Sequence, residues 1–119
     1  QLEEIDEIAH VFYPGLKSHK NHLIAAKQQT KFGGMISFNL KGNDLDHAKK
    51  IVSNTHLFAL AESLGGVESL IGHPATMTHA SIPKEIREKS GIVDSLIRLS
   101  VGVEDADDLI ADLQMAFDA

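Results

Sequence analysis

The chain has 119 residues, 43% of them hydrophobic, enough for one small domain with a core of its own. Its formal net charge of −6 and its scattered lysines leave no basic stripe to neutralise nucleic-acid phosphates. It has no cysteine, which excludes disulfides and thiolate zinc sites, and no apolar run near the ~20 residues that a membrane helix needs.

Leu2, Ile5, Ile8 and Ala9 recur at helical spacing, so residues 1–9 are predicted as a helix. A chain that opens inside an amphipathic helix reads as the end of an interdomain helix. The opening QLEEIDEI does not read as a signal peptide, and a cytoplasmic location is the expectation. Residues 11–13 form a short extended run closed by the turn pair Pro14-Gly15. Residues 21–30 read as a helix with Leu23, Ala26 and Lys27 on one side, broken by Gly33-Gly34. Residues 35–40 alternate cleanly, with Ile36, Phe38 and Leu40 on one face, which predicts a half-buried strand.

Gly42-Asn43-Asp44 ends that strand and offers N-caps for a helix whose stripe is Leu45, Ala48, Ile51 and Val52. Residues 57–61 read as a strand, and Gly65-Gly66 separates them from a second apolar run over 67–71. Residues 72–82 read as a loop. Pro83 suits the first position of a charged, exposed helix, KEIREK. Residues 96–103 give the clearest strand, with Ile97, Leu99, Val101 and Val103 on one face and Arg98, Ser100 and Gly102 on the other. Asp105 then starts a helix with the buried stripe Ala106, Leu109, Ile110, Leu113 and Phe117. The whole reads as one α+β domain over residues 1–119, a small, mainly antiparallel sheet with helices packed on one side.

Few residues point to chemistry by themselves. The histidines His19 and His22 have the spacing of some metal pairs. No HExxH motif or cysteine accompanies them, so surface and capping roles are expected, with no metal site. The glycine pairs match no phosphate loop. Only two arginines are present. Arg87, inside KEIREK, reads as part of a solvated face. Arg98 lies within an apolar strand, where a guanidinium needs an anionic partner. Its fork suits a carboxylate held by two hydrogen bonds. A substrate carboxylate and an internal partner such as Glu62 are equally consistent with the spacing. Glu62 and Ser63 stand where a strand gives way to a double glycine, a usual place for functional groups.

Several stretches together carry a resemblance. LAESLGGVESLIGHPATMTHAS (60–81) and IRLSVGVEDADDLIADL (97–113) closely resemble signature segments of the cysteine and methionine metabolism pyridoxal-phosphate enzymes. VFYPGLKSHKNH (11–22) and KFGGMISFNL (31–40) resemble two further segments in the expected order. The resemblance covers essentially the whole chain. Lys20 stands where the family often has proline, and Lys31 where it often has glycine.

The resemblance implies the small C-terminal domain of a fold-type I, aspartate aminotransferase-like enzyme. Pyridoxal 5'-phosphate would be attached to a lysine of a larger domain of the same chain, so the present residues would hold neither catalytic nor cofactor-binding groups and would be inactive alone. The complete enzyme would be a homotetramer acting on cystathionine, or on a homoserine ester plus cysteine. By motif, Arg98 is similar to the arginine that binds the substrate α-carboxylate, and Ser63 to a serine beside it. Glu62 matches a position that varies with reaction type, where glutamate resembles cystathionine γ-lyase or γ-synthase. Thr78 matches a substrate-side threonine. The expected function is therefore substrate binding in an enzyme of transsulfuration acting at Cγ. The alternatives are a non-catalytic interaction domain of the same fold, or a β-lyase, methionine γ-lyase or homoserine-ester sulfhydrylase.

Overall fold

The computed structural model describes residues 2–119. Five strands, β1 (Ile8–Phe12), β2 (Met35–Leu40), β3 (Ala59–Leu60), β4 (Leu70–Gly72) and β5 (Ile97–Ser100), form one sheet in the order β1-β2-β5-β4-β3. Every pairing is antiparallel except β3 with β4. The helices are α1 (His22–Gln28), α2 (Leu45–Ser53), α3 (Lys84–Lys89) and α4 (Ala106–Asp118). The mainly antiparallel α+β architecture read from the sequence is the one observed.

Register explains the core. Residues directly opposite across a pair share a sheet face. Phe38 faces Ile97 and Val11, and Leu99 faces Ile36 and Ile71. Phe38, Ile97, Leu99 and Ile71 are almost completely buried, and they cluster with Ala48, Ile51 and Val52 of α2 and Leu109, Leu113, Ala116 and Phe117 of α4. Each large apolar side chain so buried contributes roughly 1.5–3 kcal/mol of transfer free energy. The other face carries the row Phe12, Ser37, Arg98, Gly72, and neither α2 nor α4 covers it. Both helices are capped as their sequences suggest: Asp44 accepts from the Asp46 and His47 N–H groups, and Asp105 from those of Asp107 and Asp108.

Four local readings need correction. Gln1 lies outside the described residues, and residues 2–9 are not a helix. Leu2–Glu4 make one 3₁₀ turn, and Ile8 already begins β1. Pairing with β2, Ile8 opposite Leu40, outweighed a short local period. The predicted strands over 57–61 and 96–103 shorten to β3 and β5, and Val103 is exposed. Along α1 it is Ala25 that is buried, while Leu23 and Ile24 are exposed.

The stripe of α4 is also rotated. Ala106 and Ile110 are exposed, and the buried positions are 109, 112, 113, 116 and 117, a regular helical face. Asp112 sits inside that face because it has work there. Its carboxylate accepts the backbone N–H groups of His56, Leu57 and Phe58 at 2.7, 2.8 and 3.0 Å, satisfying a stretch that would otherwise bury three donors.

Arg87 is a further correction. It is buried rather than solvated, with 7% of its side chain exposed. Its Nη2 donates to Asp94 at 2.7 Å and its Nη1 to the Ile92 carbonyl at 2.8 Å, while Lys84 reaches the other Asp94 oxygen at 3.1 Å. The Arg87 guanidinium, seconded by Lys84, holds the Asp94 carboxyl below its ordinary value of 3.8. A depressed carboxylate adds stability that is present above the unfolded-state pKa and lost as pH falls through the folded one. Asp94→Asn should therefore cost about 1.5–3 kcal/mol at pH 7. Its denaturation midpoint in the complete protein should converge on that of wild type as pH falls below 3.8. A gap that persists unchanged at pH 3 would assign the loss to packing instead.

Candidate functional site

The parallel pairing of β3 with β4 requires the chain between them to cross over one face of the sheet. Residues 61–69 make this crossover on the face that α2 and α4 leave open. They do so because the outward side chains of β5 and its extension bind them. Arg98 Nη2 donates to the Glu62 carbonyl at 3.1 Å and makes a longer contact of 3.5 Å with that of Ser63. Ser100 Oγ accepts the Gly65 N–H at 2.8 Å.

This geometry brings Arg98, Glu62 and Thr78 to one cleft, shared with Ala61, Gly72 and Met77. Gly72 stands opposite Arg98 in the sheet, so no side chain on β4 blocks the guanidinium. The Thr78 hydroxyl pairs with His79 Nδ1 at 2.8 Å. The buried His73 also lines the cleft; it donates from Nε2 to the Asp94 carbonyl at 2.6 Å and pairs through Nδ1 with the Thr76 hydroxyl at 2.8 Å. It fixes the loop that carries Met77 and Thr78. Ser63 is less completely placed: its carbonyl meets Arg98, but its exposed side chain is not part of the cleft lining.

The internal partner considered for Arg98 is not the Glu62 carboxylate but the backbone beside it. The ion pairs among the described residues are Lys84 with Glu88 and Asp94, and Arg87 with Asp94. Arg98 is therefore a half-buried guanidinium aimed by two carbonyls and left without an anion. Carbonyls fix its direction without neutralising its charge, which suits an incoming carboxylate.

A larger hollow of about 310 Å³ lies on the helix side, whereas the cleft is a shallow crease with no enclosed volume of its own. Its walls are core residues such as Val11, Ile36, Leu99, Leu109 and Leu113, with few polar groups to orient a ligand. The polar residues singled out from the sequence stand instead at the small cleft. Among the described residues no group of three or more His, Asp or Glu side chains is placed to hold a metal ion. No helix among them is long and apolar enough to cross a membrane.

The sequence profile of the family described as Cys/Met metabolism PLP-dependent enzyme matches residues 1–118. The chain belongs to that family. A curated cystathionine β-lyase from Lactococcus lactis subsp. cremoris is 59% identical over 117 residues, covering 98% of this chain and 30% of that protein. A cystathionine γ-lyase from Dictyostelium discoideum is 54% identical, again over 98% of this chain and 30% of the relative. Among solved structures, a cystathionine γ-synthase from Xanthomonas oryzae pv. oryzae in complex with cystathionine superposes with a TM-score of 0.89 at 47% identity, over 98% of this chain and 30% of that one. A putative O-acetylhomoserine (thiol)-lyase from Campylobacter jejuni carrying a pyridoxyl-lysine phosphate group gives 0.92 at 42%, over 99% and 28%.

The chain thus spans about 30% of the length of the curated relatives it matches. It corresponds to the C-terminal region of such enzymes, and its fold is that of the fold-type I C-terminal domain. The family depends on pyridoxal phosphate. The cleft lining is compatible with the substrate side of such a site: it includes an arginine with no ion pair among the described residues, a glutamate and a threonine. All nine lysines are exposed and none lines the cleft.

Reasoning from the sequence missed four contributors to this site. His79 and His73 were read as ordinary surface or capping histidines. Ser69 and Glu104, which tie the far end of the crossover, were not singled out. Glu104 continues the alternation of Arg98, Ser100 and Gly102, but the meaning of that face depends on which chain segment lies above it.

Proposed function

We propose that this chain is the substrate-binding C-terminal domain of a pyridoxal-phosphate enzyme that cleaves or forms cystathionine by chemistry at Cγ. A larger, cofactor-holding domain of the same protein would complete the site, in a homotetramer, and these residues alone would be inactive. The observation that carries the reading is Arg98: a half-buried guanidinium, directed by two carbonyls, with no carboxylate partner among the described residues.

Pyridoxal phosphate, when bound, supplies an electron sink for bond breaking next to the amino-bearing carbon. The residues of this chain orient the substrate. Arg98 holds the α-carboxylate through its planar fork and so fixes which bond at Cα stands across the cofactor ring. Ser63 offers a hydroxyl beside that carboxylate. Glu62 and Thr78 line the cleft and meet the substrate beyond the carboxylate, where the carbon–sulfur bond lies. A convergent set of three intact polar groups supports a catalytic enzyme over an interaction domain that has kept only the fold.

Incubation of the complete enzyme with L-cystathionine tests this directly. Cγ–S cleavage releases cysteine, 2-oxobutyrate and ammonia; Cβ–S cleavage releases homocysteine, pyruvate and ammonia. The first set is expected. The 59% identity to a curated cystathionine β-lyase favours the second set as the rival reading. Glu62→Val is expected to shift the ratio of activity on cystathionine to that on methionine by at least ~3-fold, within the range that one contact discriminates. A fixed ratio accompanied by a stability loss of several kcal/mol, the scale of a broken buried network, would make Glu62 structural.

A further inference from the structure

The crossover is fastened along its whole length by one edge of one strand. Alternate residues from Arg98 to Glu104 point to the same side of β5 and its extension, and each engages the crossover. Arg98 meets the carbonyls of Glu62 and Ser63. Ser100 accepts the N–H of Gly65 at 2.8 Å. Gly102 donates its N–H to Ser69 Oγ at 2.8 Å. Glu104 takes the Ser69 hydroxyl on Oε1 at 2.7 Å and the Ser69 N–H on Oε2 at 3.1 Å. The backbone adds Val103 N–H to the Val67 carbonyl at 3.0 Å.

The energetics of these ties are unequal. Ser69 and Ser100 are buried, so loss of either leaves a partner group unpaired away from water. The Ser69 N–H, helped by its hydroxyl, holds the Glu104 carboxyl below its ordinary value, so Glu104 serves as an anionic acceptor throughout the neutral range. Between the Gly65 and Ser69 anchors, residues 66–68 lie exposed. The conformation of the loop bearing Glu62 and Ser63 is therefore set by hydrogen bonds to β5 and its extension at Gly65, Val67 and Ser69, not by burial of its side chains.

We propose that Ser69, Ser100 and Glu104 are positioning residues: they hold the 62–68 segment in the one register that presents Glu62 and Ser63 to the substrate, and so govern which carbon–sulfur bond is broken. The link to bond choice rests on the cystathionine reading above; the fastening does not. None of the three lines the cleft, so their effect passes through the loop. Displacement of a positioned group by an ångström costs catalysis far more than it costs folding.

The test uses Glu104→Gln and Ser100→Ala in the complete enzyme. The amide keeps the size of the glutamate and one acceptor, so Glu104→Gln preserves the fold if the serine variant does not. Two readouts are taken: hydrogen exchange of the Gly65 and Ser69 amides, and the ratio of 2-oxobutyrate to pyruvate formed from cystathionine. In each variant the affected amide, Ser69 for Glu104→Gln and Gly65 for Ser100→Ala, is expected to exchange at least ~10-fold faster, as for a locally released segment. The product ratio is expected to move by at least ~3-fold while cofactor absorbance stays unchanged. Unchanged amide exchange overturns the proposal. Faster exchange with an unmoved product ratio also overturns it, leaving these residues a stabilising role only. If wild type neither releases a product from cystathionine nor forms cystathionine from a homoserine ester and cysteine, the cystathionine reading fails, and the exchange measurement alone decides whether the loop is held as described.

Discussion

Arg98→Lys lowers kcat/KM of the complete enzyme by at least ~10-fold, about 1.4 kcal/mol of transition-state stabilisation, with folding and cofactor absorbance preserved. The structure supplies the reason. One terminal nitrogen of the guanidinium is occupied by the Glu62 and Ser63 carbonyls, which leaves the other donors of the fork for a substrate carboxylate. Lysine keeps the charge but is a point donor: it serves either the loop carbonyls or the substrate, not both in fixed geometry. Folding survives because the strand is held from its other face by Ile97 and Leu99, both essentially fully buried. The comparison substrate is the α-carboxamide, which lacks the anion. Wild type discriminates strongly against it and the lysine variant less so. Equal discrimination by both enzymes would remove Arg98 as the carboxylate partner and leave it a clamp on the crossover loop.

Gly102→Ala is expected to lower kcat/KM by about 100-fold, the scale of an ångström-sized misplacement in an active site. Gly102 has no need of unusual dihedral freedom; what it provides is space. A methyl group there would fall on the Val67 carbonyl oxygen and lie 2.7 Å from the carbonyl carbons of Val67 and Glu68. Carbon atoms rest at about 3.5–4.0 Å, so the crossover backbone must retreat by roughly 1 Å. The retreat carries the Ser69 anchor with it and drags the loop bearing Glu62 and Ser63. Stability should fall by about 1–3 kcal/mol, as for an overpacked site. Steady-state kinetics beside thermal denaturation checks the prediction. Wild-type kcat/KM with a lowered denaturation midpoint would show that the loop end yields without moving the substrate contacts.

Local chemistry was legible wherever a pattern decides the structure within a few residues. The alternation of Met35–Leu40 produced β2 with its expected buried face. The helices α2 and α4 began where Asp44 and Asp105 offered caps. Arg98 and Glu62 also stood out as candidates, because a guanidinium in an apolar strand and a carboxylate before a double glycine are chemically conspicuous. The resemblance of whole segments to a cofactor-dependent family supplied the family, and with it the expectation of a substrate carboxylate at Arg98, which spacing alone left open between a ligand and an internal partner.

What the sequence by itself determined, then, was the periodic skeleton and the family; what only the tertiary structure decided was every feature made by residues far apart in the chain. A period of three in Leu2, Ile5 and Ile8 fits a helix, yet the hydrogen bonds of β2, about thirty residues on, drew Ile8 into a strand. Arg87 looked solvated until Asp94 and the Ile92 carbonyl closed around it. The role of Asp112 depends on contacts far along the chain: its carboxylate accepts three N–H groups more than fifty residues earlier. Arg98 itself could have faced an internal acid or a ligand, and only the crossover lying above β5 showed carbonyls and no anion. Sequence periodicity reports which face of an element is apolar; it carries no information about which segment arrives at the polar face, because that is fixed by the packing of the whole chain.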